Sequence, residues 1–252
     1  MLRDGIRDDQ WNRIKDMLPG RDGHVGVTAR NNRLFLDAVL HRYRTGIPWR
    51  DLPEEFGGFR NVQRRFSRWA EKGIWNKLLS VLTEDADKEY VMIDSTVVRA
   101  HQHSAGAVGR NPDHQAIGRS RGGLTTKIHA LVDALGNPTG FRLTPGQTHD
   151  LIGADALLTD VRAGAVIADK AYDADERVVL PLNQAGIEVV IPPKSQRKTS
   201  RDYDREIYKA RHLIENFFYK LKHFRGIATR YDKLSKNFQA AIQFAAILIW
   251  LN

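Results

Sequence analysis

Five apolar, β-rich runs between residues 90 and 193 constrain most strongly how this 252-residue chain can fold. The first three runs follow one another without a helical pattern between them, whereas residues 150–163 and 173–186 predict helices before the fourth and fifth runs. The five runs are YVMIDSTVV, TTKIHALVDA, TGFRLTPG, AVIADKAY and IEVVIPP. Their order, completed by helices toward the C-terminus, is β-β-β-α-β-α-β-α.

This order is typical of a ribonuclease H-like α/β fold, a mixed five-stranded sheet with helices on both sides. The residues before the sheet predict helices instead, at 8–18, from a Thr28 cap to Tyr43, and over FRNVQRRFSRWAEKG. We therefore predict a small all-α domain over residues 1–82 and a ribonuclease H-like domain with C-terminal helices over residues 88–252.

Two aspartates stand in matching positions of two predicted strands. Asp94 follows Val-Met-Ile in the first run, and Asp169 follows Val-Ile-Ala in the fourth. An acid within an apolar strand is costly to bury unless it is paired or binds a metal. The first and fourth strands are neighbours in this layout, so we expect the two carboxylates to lie side by side and to repel each other unless a cation joins them.

Other polar residues near the strands have more ordinary interpretations. Aspartates at strand ends are most often turn formers or helix caps. We assign that structural function to Asp133, Asp150, Asp173 and Asp175. His129, on the second strand, could face a cleft, but a hydrogen-bonded core or surface histidine is the favoured interpretation.

A third carboxylate lies on a predicted helix near the C-terminus. The segment YKARHLIENFFYKLK places Tyr208, Arg211, Glu215 and Lys222 within an arc of roughly 60° at 100° per residue. Glu215 would join the two aspartates, and three carboxylates suit Mg²⁺ or Mn²⁺ better than zinc. An internal ion pair between Arg211 and Glu215 at i,i+4 is the alternative for this stripe.

The charge distribution indicates a polyanionic partner. The chain has a net charge of +9, divided as +6 over residues 1–80, −5 over 81–193 and +8 over 194–252. Two basic flanks around an acidic middle suit a polyanion held on either side of a carboxylate centre. A basic surface without a specific partner is the alternative.

Arginines cluster on the third predicted helix of the N-terminal region. Arg64, Arg65 and Arg68 surround an apolar face formed by Val62 and other residues. A basic amphipathic helix after a short turned segment resembles the second helix of a helix-turn-helix, which favours DNA contact by these arginines. An ordinary solvated helix is the alternative.

The composition also bears on the cellular compartment. The chain has no cysteine, and its first residues lack the apolar run of a signal peptide. The apolar stretch AAIQFAAILIWLN is too short to span a bilayer and predicts a buried helix. We expect a cytoplasmic protein.

Together these motifs resemble the DDE-class transposases of bacterial insertion sequences, in the insertion sequence 5 and insertion sequence 4 superfamily. The Y-x2-R-x3-E-x6-K signature of that group matches Tyr208, Arg211, Glu215 and Lys222 without a gap. The segments around Asp94 and Asp169 (IDST and ADKAY), together with TTKIHALVDALGNP and TPGQTHD, are similar to the family's core. The N-terminal HRYRTGIPWRDLPEEFG resembles the helical DNA-binding region that these proteins carry.

The resemblance implies a two-metal DNA transposase. Asp94, Asp169 and Glu215 would hold two Mg²⁺ or Mn²⁺ ions, water would cut at the transposon end, and the freed 3′-hydroxyl would attack target DNA. Tyr208, Arg211 and Lys222 would contact DNA. The expected partners are double-stranded terminal inverted repeats and target DNA, bound by a dimer. The segment between Asp169 and Glu215 is too short for the β-rich insertion domain of some relatives.

Three alternatives share parts of this evidence. A ribonuclease H-like nuclease or resolvase would have the same site and would not join strands. A domesticated DNA-binding protein would keep the fold without catalysis. A basic helical regulator would use the C-terminal half only as structure.

Overall fold

The computed structural model describes residues 5–21, 29, 31–105, 115–197 and 201–252. Its N-terminal part is helical, as predicted. Two short 3₁₀ turns separate the second and third of its helices, which are α1 (Asp8–Ile14), α2 (Asn32–Thr45), α3 (Phe59–Glu71) and α4 (Ile74–Leu82). The predicted cap Thr28 lies outside the described residues. The Asn31 side chain caps α2 by accepting a hydrogen bond of 2.9 Å from the backbone N–H of Leu34.

A mixed sheet follows, and it confirms the ribonuclease H-like α/β fold. Its strands are β1 (Tyr90–Ala100), β2 (Gly118–Ser120), β3 (Gly123–Val132), β4 (Pro138–Pro145), β5 (Ala165–Ile167), β6 (Glu188–Val190) and β7 (Thr229–Arg230). The five predicted strands lie in the order β4-β3-β1-β5-β6. β3 pairs antiparallel with β1 and β4, while β1 with β5 and β5 with β6 are parallel.

The sequence did not predict two short additions to this sheet. β2 pairs with the start of β3, and β7 pairs with the end of β1. Both are only two or three residues long, so neither has enough residues to show an alternating pattern. The fourth and fifth predicted strands are also shorter than their apolar runs.

Helices cover both faces of the sheet. They are α5 (Leu151–Leu157), α6 (Leu180–Gln184), α7 (Arg205–Tyr208), α8 (His212–Lys222), α9 (Arg225–Ala228) and α10 (Ser235–Trp250). Side chains alternate between faces along a strand. Val91 and Ile93 therefore share one core with residues of α5 and α6. Met92 joins the other, which contains residues of α8 and α10.

The N-terminal helices share that second core with α10. Trp75 of α4 is 1% exposed. Its ring lies 5.2 Å from Phe244 of α10, 5.1 Å from Trp69 and 5.6 Å from Phe66 of α3, measured between centroids. The helix that carries the arginine cluster is thus packed through aromatic rings onto the C-terminal helix.

The C-terminal apolar stretch is a buried helix, as predicted, because the residues from Phe238 to Leu248 of α10 are almost all enclosed. Among the described residues, no helix combines the length and the hydrophobicity needed to cross a bilayer.

His129 is a buried, hydrogen-bonded residue of β3, as expected. Its Nε2 lies 2.9 Å from the Thr144 hydroxyl on β4. A Cβ at Gly153 would lie 2.2 Å from Nδ1, so α5 can approach the imidazole this closely only with glycine there. Burial lowers the pKa of His129 from 6.5 to about 4. The histidine therefore helps to position α5 against β3.

We predict that Trp75→Ala lowers the free energy of unfolding by about 3–5 kcal/mol, because it removes a large ring from a shared aromatic core. Urea denaturation measures this change. Leu135→Ala is the control, since Leu135 is 69% exposed and its truncation should cost no more than about 0.5 kcal/mol. Equal effects of the two variants would contradict the shared core.

A second prediction concerns pH. Below pH 6.5 the unfolded chain protonates His129, while the folded chain holds it neutral down to about pH 4, so stability is lost as the pH falls through this window. His129→Gln should remove this contribution, which reaches at most about 1.4 kcal/mol per pH unit. Urea denaturation at pH 7, 6 and 5 tests the difference. Parallel stability profiles for wild type and variant would contradict it.

Candidate active site

Backbone pairing places Asp94 and Asp169 at matching positions. The last residue pair between the parallel strands β1 and β5 joins Met92 to Ile167, and each aspartate stands two residues beyond its member of that pair. Residues two apart in extended chain point to the same face. Met92 and Ile167 belong to the core that contains α8. The two carboxylates are therefore directed toward the face where α8 lies.

Local hydrogen bonds fix both carboxylates. Asp94 Oδ1 accepts from the backbone N–H of Ser95 at 2.7 Å. Asp169 Oδ1 accepts from the N–H of Ala171 at 2.8 Å and caps a 3₁₀ turn, Lys170–Tyr172. Asp169 thus follows β5 and does not lie within a strand as predicted. The capping bond uses one carboxylate oxygen and leaves the second for another partner.

The helix that carries the third carboxylate is interrupted. Asp204 caps α7 by accepting from the N–H groups of Glu206 and Ile207 at 2.7 and 2.9 Å. A 3₁₀ turn, Lys209–Arg211, then separates α7 from α8, although one continuous helix was predicted. Side chains three apart in a 3₁₀ turn eclipse each other, which brings Tyr208 and Arg211 to the same side.

Arg211 connects two of the three predicted catalytic carboxylates. Its Nη1 donates to Asp94 Oδ2 at 2.9 Å, and its Nη2 donates to Glu215 Oε1. The ion pair with Glu215 was foreseen as an alternative in the sequence; the pair with Asp94 was not. Burial opposes the charge of Arg211, but Asp94 and Glu215 outweigh it and raise the pKa of the guanidinium.

The electrostatics of Asp94 favour a nearby cation. Burial raises the pKa of Asp94 above its usual value, and the negative charge of Asp169 raises it further. The Ser95 N–H and Arg211 partly oppose the increase. The register of β1 and β5 places the two aspartates at the same level of the sheet, and this repulsion is the effect expected of carboxylates on neighbouring strands.

The carboxylates suit a hard divalent cation in chemistry, but a guanidinium stands among them. Among the described residues, no three His, Cys, Asp or Glu side chains lie close enough together to hold one metal ion. Asp94 and Asp169 form a pair, whereas Glu215 is linked to Asp94 only through Arg211. Carboxylate oxygens nonetheless have the donor chemistry that Mg²⁺ and Mn²⁺ prefer.

Asp150 adds a fourth carboxylate beside this pair. Asp150 occupies the N-cap position immediately before α5. Its side chain nevertheless makes no capping hydrogen bond, contrary to its expected structural function. Its Oδ1 accepts from the Ser95 hydroxyl at 2.6 Å and from Lys127 Nζ at 2.9 Å. Burial alone would raise the pKa of Asp150, but these two donors prevail and lower it. The partners are 55 and 23 residues away, so local sequence patterns could not reveal them.

Tyr172 is a buried residue near Asp94, Asp150 and Asp169. It is 1% exposed. Burial raises the pKa of its hydroxyl, and the charges of Asp150, Asp94 and Asp169 raise it further. The hydroxyl therefore stays protonated and presents a neutral side chain to the carboxylates.

The remaining aspartates divide between turns and ion pairs. Asp133 is a turn former as expected, since its Oδ1 accepts from the N–H groups of Leu135 and Asn137 at 3.0 and 2.7 Å. Asp173 is instead buried and pairs with Arg197 at 2.9 Å and Arg201 at 3.2 Å. Asp175 also pairs with Arg197.

The arginines of α3 occupy two environments. Arg64 and Arg68 are exposed. Arg65 is half-buried, with its guanidinium 4.2 Å from the ring centroid of Phe35 and 4.8 Å from that of Trp69. Burial, assisted by the charge of Arg68, lowers the pKa of Arg65 to about 10. The sequence pattern did not separate Arg65 from its two exposed neighbours.

Lys222 and Tyr208 lie at opposite ends of the signature. Tyr208 is half-buried, and burial together with the charge of Asp169 raises the pKa of its hydroxyl, although Arg211 opposes the change. Lys222 is exposed at the end of α8. It stands seven positions after Glu215, a helical rise of roughly 10 Å.

Two family models match the chain. Residues 6–79 match one described as "Putative transposase of IS4/5 family", and residues 85–250 match "Transposase DDE domain". The second model covers more than half of the chain.

The chain is also similar to two curated relatives, one of which is named as a transposase. The chain is 41% identical over 131 residues to "Putative transposase for insertion sequence element IS6501" of Brucella ovis, covering 51% of this chain and 99% of the relative. It is 55% identical over 104 residues to "Uncharacterized protein y4sN" of Sinorhizobium fredii, covering 41% and 83%.

A solved structure, "Mos1 transposase paired-end complex with left transposon end", matches over 85% of this chain and 86% of that chain. It has a TM-score of 0.27 and 13% sequence identity, and it supports no separate conclusion. With the two family models matched along most of its length, the chain belongs to the DDE transposases of bacterial insertion sequences, in the IS4/5 group.

Proposed function

We propose that this protein cuts DNA at the ends of its insertion sequence and joins the resulting 3′-hydroxyl ends to target DNA. The observation that carries this proposal is the matched placement of Asp94 and Asp169 beyond paired parallel strands, with Glu215 connected to Asp94 by Arg211. Family membership supplies the reaction class, and this arrangement supplies the residues.

The three carboxylates are the groups that would hold divalent cations, Mg²⁺ or Mn²⁺, in two sites as the family resemblance implies. Bound cations would activate the attacking hydroxyl and stabilise the leaving oxygen. Burial raises the pKa of Asp94, and the charge of Asp169 raises it further. A divalent cation would offset both effects by favouring the charged form of Asp94, which supports this function.

Arg211 would exchange partners during the reaction. Its guanidinium now neutralises Asp94 and Glu215. The planar guanidinium of arginine can form paired hydrogen bonds with a carboxylate or with a phosphate. Once cations neutralise the carboxylates, Arg211 would be available to a phosphate of the cut strand, and Tyr208 beside it would contact the same strand.

Asp150 would act by positioning β1. It holds Ser95, the residue after Asp94, and is itself held by Lys127 of β3. These bonds connect two strands of the sheet, β1 and β3, to the start of α5 directly beside Asp94. Buried Tyr172 would support the same region without adding a charge.

The exposed arginines of α3 would contact duplex DNA outside the cut. Arg64 and Arg68 present unscreened positive charge, whereas Arg65 stabilises the packing of α3 against α2. Two transposon ends must be processed together, so we propose that two copies of the chain act on DNA as a dimer.

One prediction tests the three carboxylates. Asp94→Asn, Asp169→Asn and Glu215→Gln should each reduce Mg²⁺-dependent nicking more than about 10²-fold, because each removes charge stabilisation at the scissile phosphate. The substrate is a duplex carrying the genomic sequence that flanks the coding region. Gel mobility in EDTA should show unchanged DNA binding.

Asp202→Asn is the matched control, because Asp202 is exposed and has no ion pair within the described ranges. It should nick at the wild-type rate. Efficient nicking by any of the three variants would remove that residue from the site. Covalent joining of a labelled 3′-hydroxyl end to a target plasmid then separates a transposase from a nuclease that only cuts.

A further prediction distinguishes Arg65 from the two exposed arginines of α3. Arg64→Gln with Arg68→Gln should lower the slope of log K against log salt by about 1.8, at about 0.9 per lost phosphate contact. Arg65→Gln should leave that slope unchanged and should lower the free energy of unfolding by about 1–2 kcal/mol through lost cation–π contacts. Fluorescence anisotropy and urea denaturation measure the two effects. The reverse pattern would contradict the assignment.

A further inference from the structure

A basic cavity lies at the C-terminal end of α8, away from the aspartate pair. Its volume is about 1030 Å³. The ends of α2, α8 and α10 and the residues before α1 line it. Five cationic side chains contribute to the lining, namely Arg7, Arg44, Lys220, Lys222 and Arg225. No Asp or Glu side chain is among the lining residues.

Most of this charge is not neutralised by neighbouring acids. Arg7 forms an ion pair with Asp9 at 2.9 Å. Lys220, Lys222 and Arg225, by contrast, have no ion pair in the part of the chain that the structure describes. Like charges gathered in a concave surface repel one another and concentrate anions there.

Helix geometry explains only part of the arrangement. The C-terminal end of a helix attracts cations, which accounts for lysines in the last turn of α8. Arg7, Arg44 and Arg225 come from other segments and converge on the same space. Tertiary structure, and not the end of one helix, therefore assembles the cluster.

Close packing fixes the backbone of Arg225 against α2. Gly46, which ends α2 with a φ of +77°, would place a Cβ 3.1 Å from the Cβ of Arg225. A Cβ on the adjacent Gly226 would lie 2.7 Å from Arg42 Nη1. Both glycines allow α9 to approach α2 closely, so the cavity is a packed feature of the fold.

The floor of the cavity adds apolar surface to its cationic walls. Leu40, Phe224, Leu248 and Ile249 contribute to the lining. A sugar–phosphate backbone presents negative phosphates together with apolar sugar edges. Such a ligand matches the lining better than a free metal ion or a cationic ligand.

We propose that this cavity binds the phosphodiester backbone of the DNA beside the cut, with Lys220 and Arg225 as contacts in addition to Lys222. The inference rests on the proposed function. On α8, Lys222 is roughly 10 Å from Glu215, which equals about three nucleotides at 3.4 Å per step of one strand. The cavity therefore holds DNA about three nucleotides from the scissile phosphate.

The test measures DNA binding by the full-length protein at several salt concentrations. Lys220→Gln with Arg225→Gln should lower the slope of log K against log salt by about 1.8. Lys88→Gln with Arg162→Gln is the control, because it removes two exposed positive charges that precede β1 and β5, at the ends opposite the aspartates. The control should keep the wild-type slope.

The outcomes separate this inference from the proposed function. If wild type and the Lys220/Arg225 variant bind DNA with the same slope of log K against log salt, the proposed DNA contact in the cavity is wrong and the proposed function is unaffected. A wild-type protein without salt-dependent DNA binding would overturn both.

Lysine acetylation followed by mass spectrometry provides a second measurement without substitutions. Bound duplex should protect Lys220 and Lys222 and should leave Lys88 reactive. Inorganic triphosphate is the comparison probe. Protection by triphosphate but not by duplex would show a small-polyphosphate site and would overturn the inference.

Discussion

Parallel pairing of β1 with β5 is the constraint on which the candidate site depends. Its register brings two aspartates, 75 residues apart in the sequence, to the same level of the sheet. The strands are apolar on both faces because helices cover both sides. The carboxylates lie where the pairing ends, so they can leave the core and still keep rigid backbones. A slip by one residue would turn one of them to the opposite face.

The fold was predictable from the sequence because its signals are local. Alternating or continuous apolar runs predicted the five main strands, and helical spacing predicted the helices on both faces. Strand register and length follow from distant partners, so β2 and β7 and the early end of β5 were missed. Asp169 shows the reason: the run AVIADKAY continues to look extended, but a carboxylate–amide hydrogen bond starts a 3₁₀ turn.

The sequence predicted which residues form the candidate site better than it predicted the contacts between them. Y-x2-R-x3-E-x6-K indicated which side chains share a surface, and the i,i+4 spacing gave the pair of Arg211 with Glu215. It could not give the bond from Arg211 to Asp94, which spans 117 residues. Asp150 looked like a helix cap, and Arg65 looked like its exposed neighbours. In each case a partner that is distant in the sequence decides the environment: Ser95 and Lys127 for Asp150, and Phe35 for Arg65.

The aromatic contact between Trp75 and Phe244 bears on where the DNA would be cut relative to the sequence bound by the N-terminal helices. Trp75 also packs on Phe66 and Trp69 of α3, so α3 and the strands β1 and β5, which position the two aspartates, share one continuous core. A rigid connection of this kind fixes the distance between α3 and the carboxylates. The phosphodiester bond that is cut would then lie a constant number of base pairs from the sequence that α3 is proposed to contact, whatever bases lie between them.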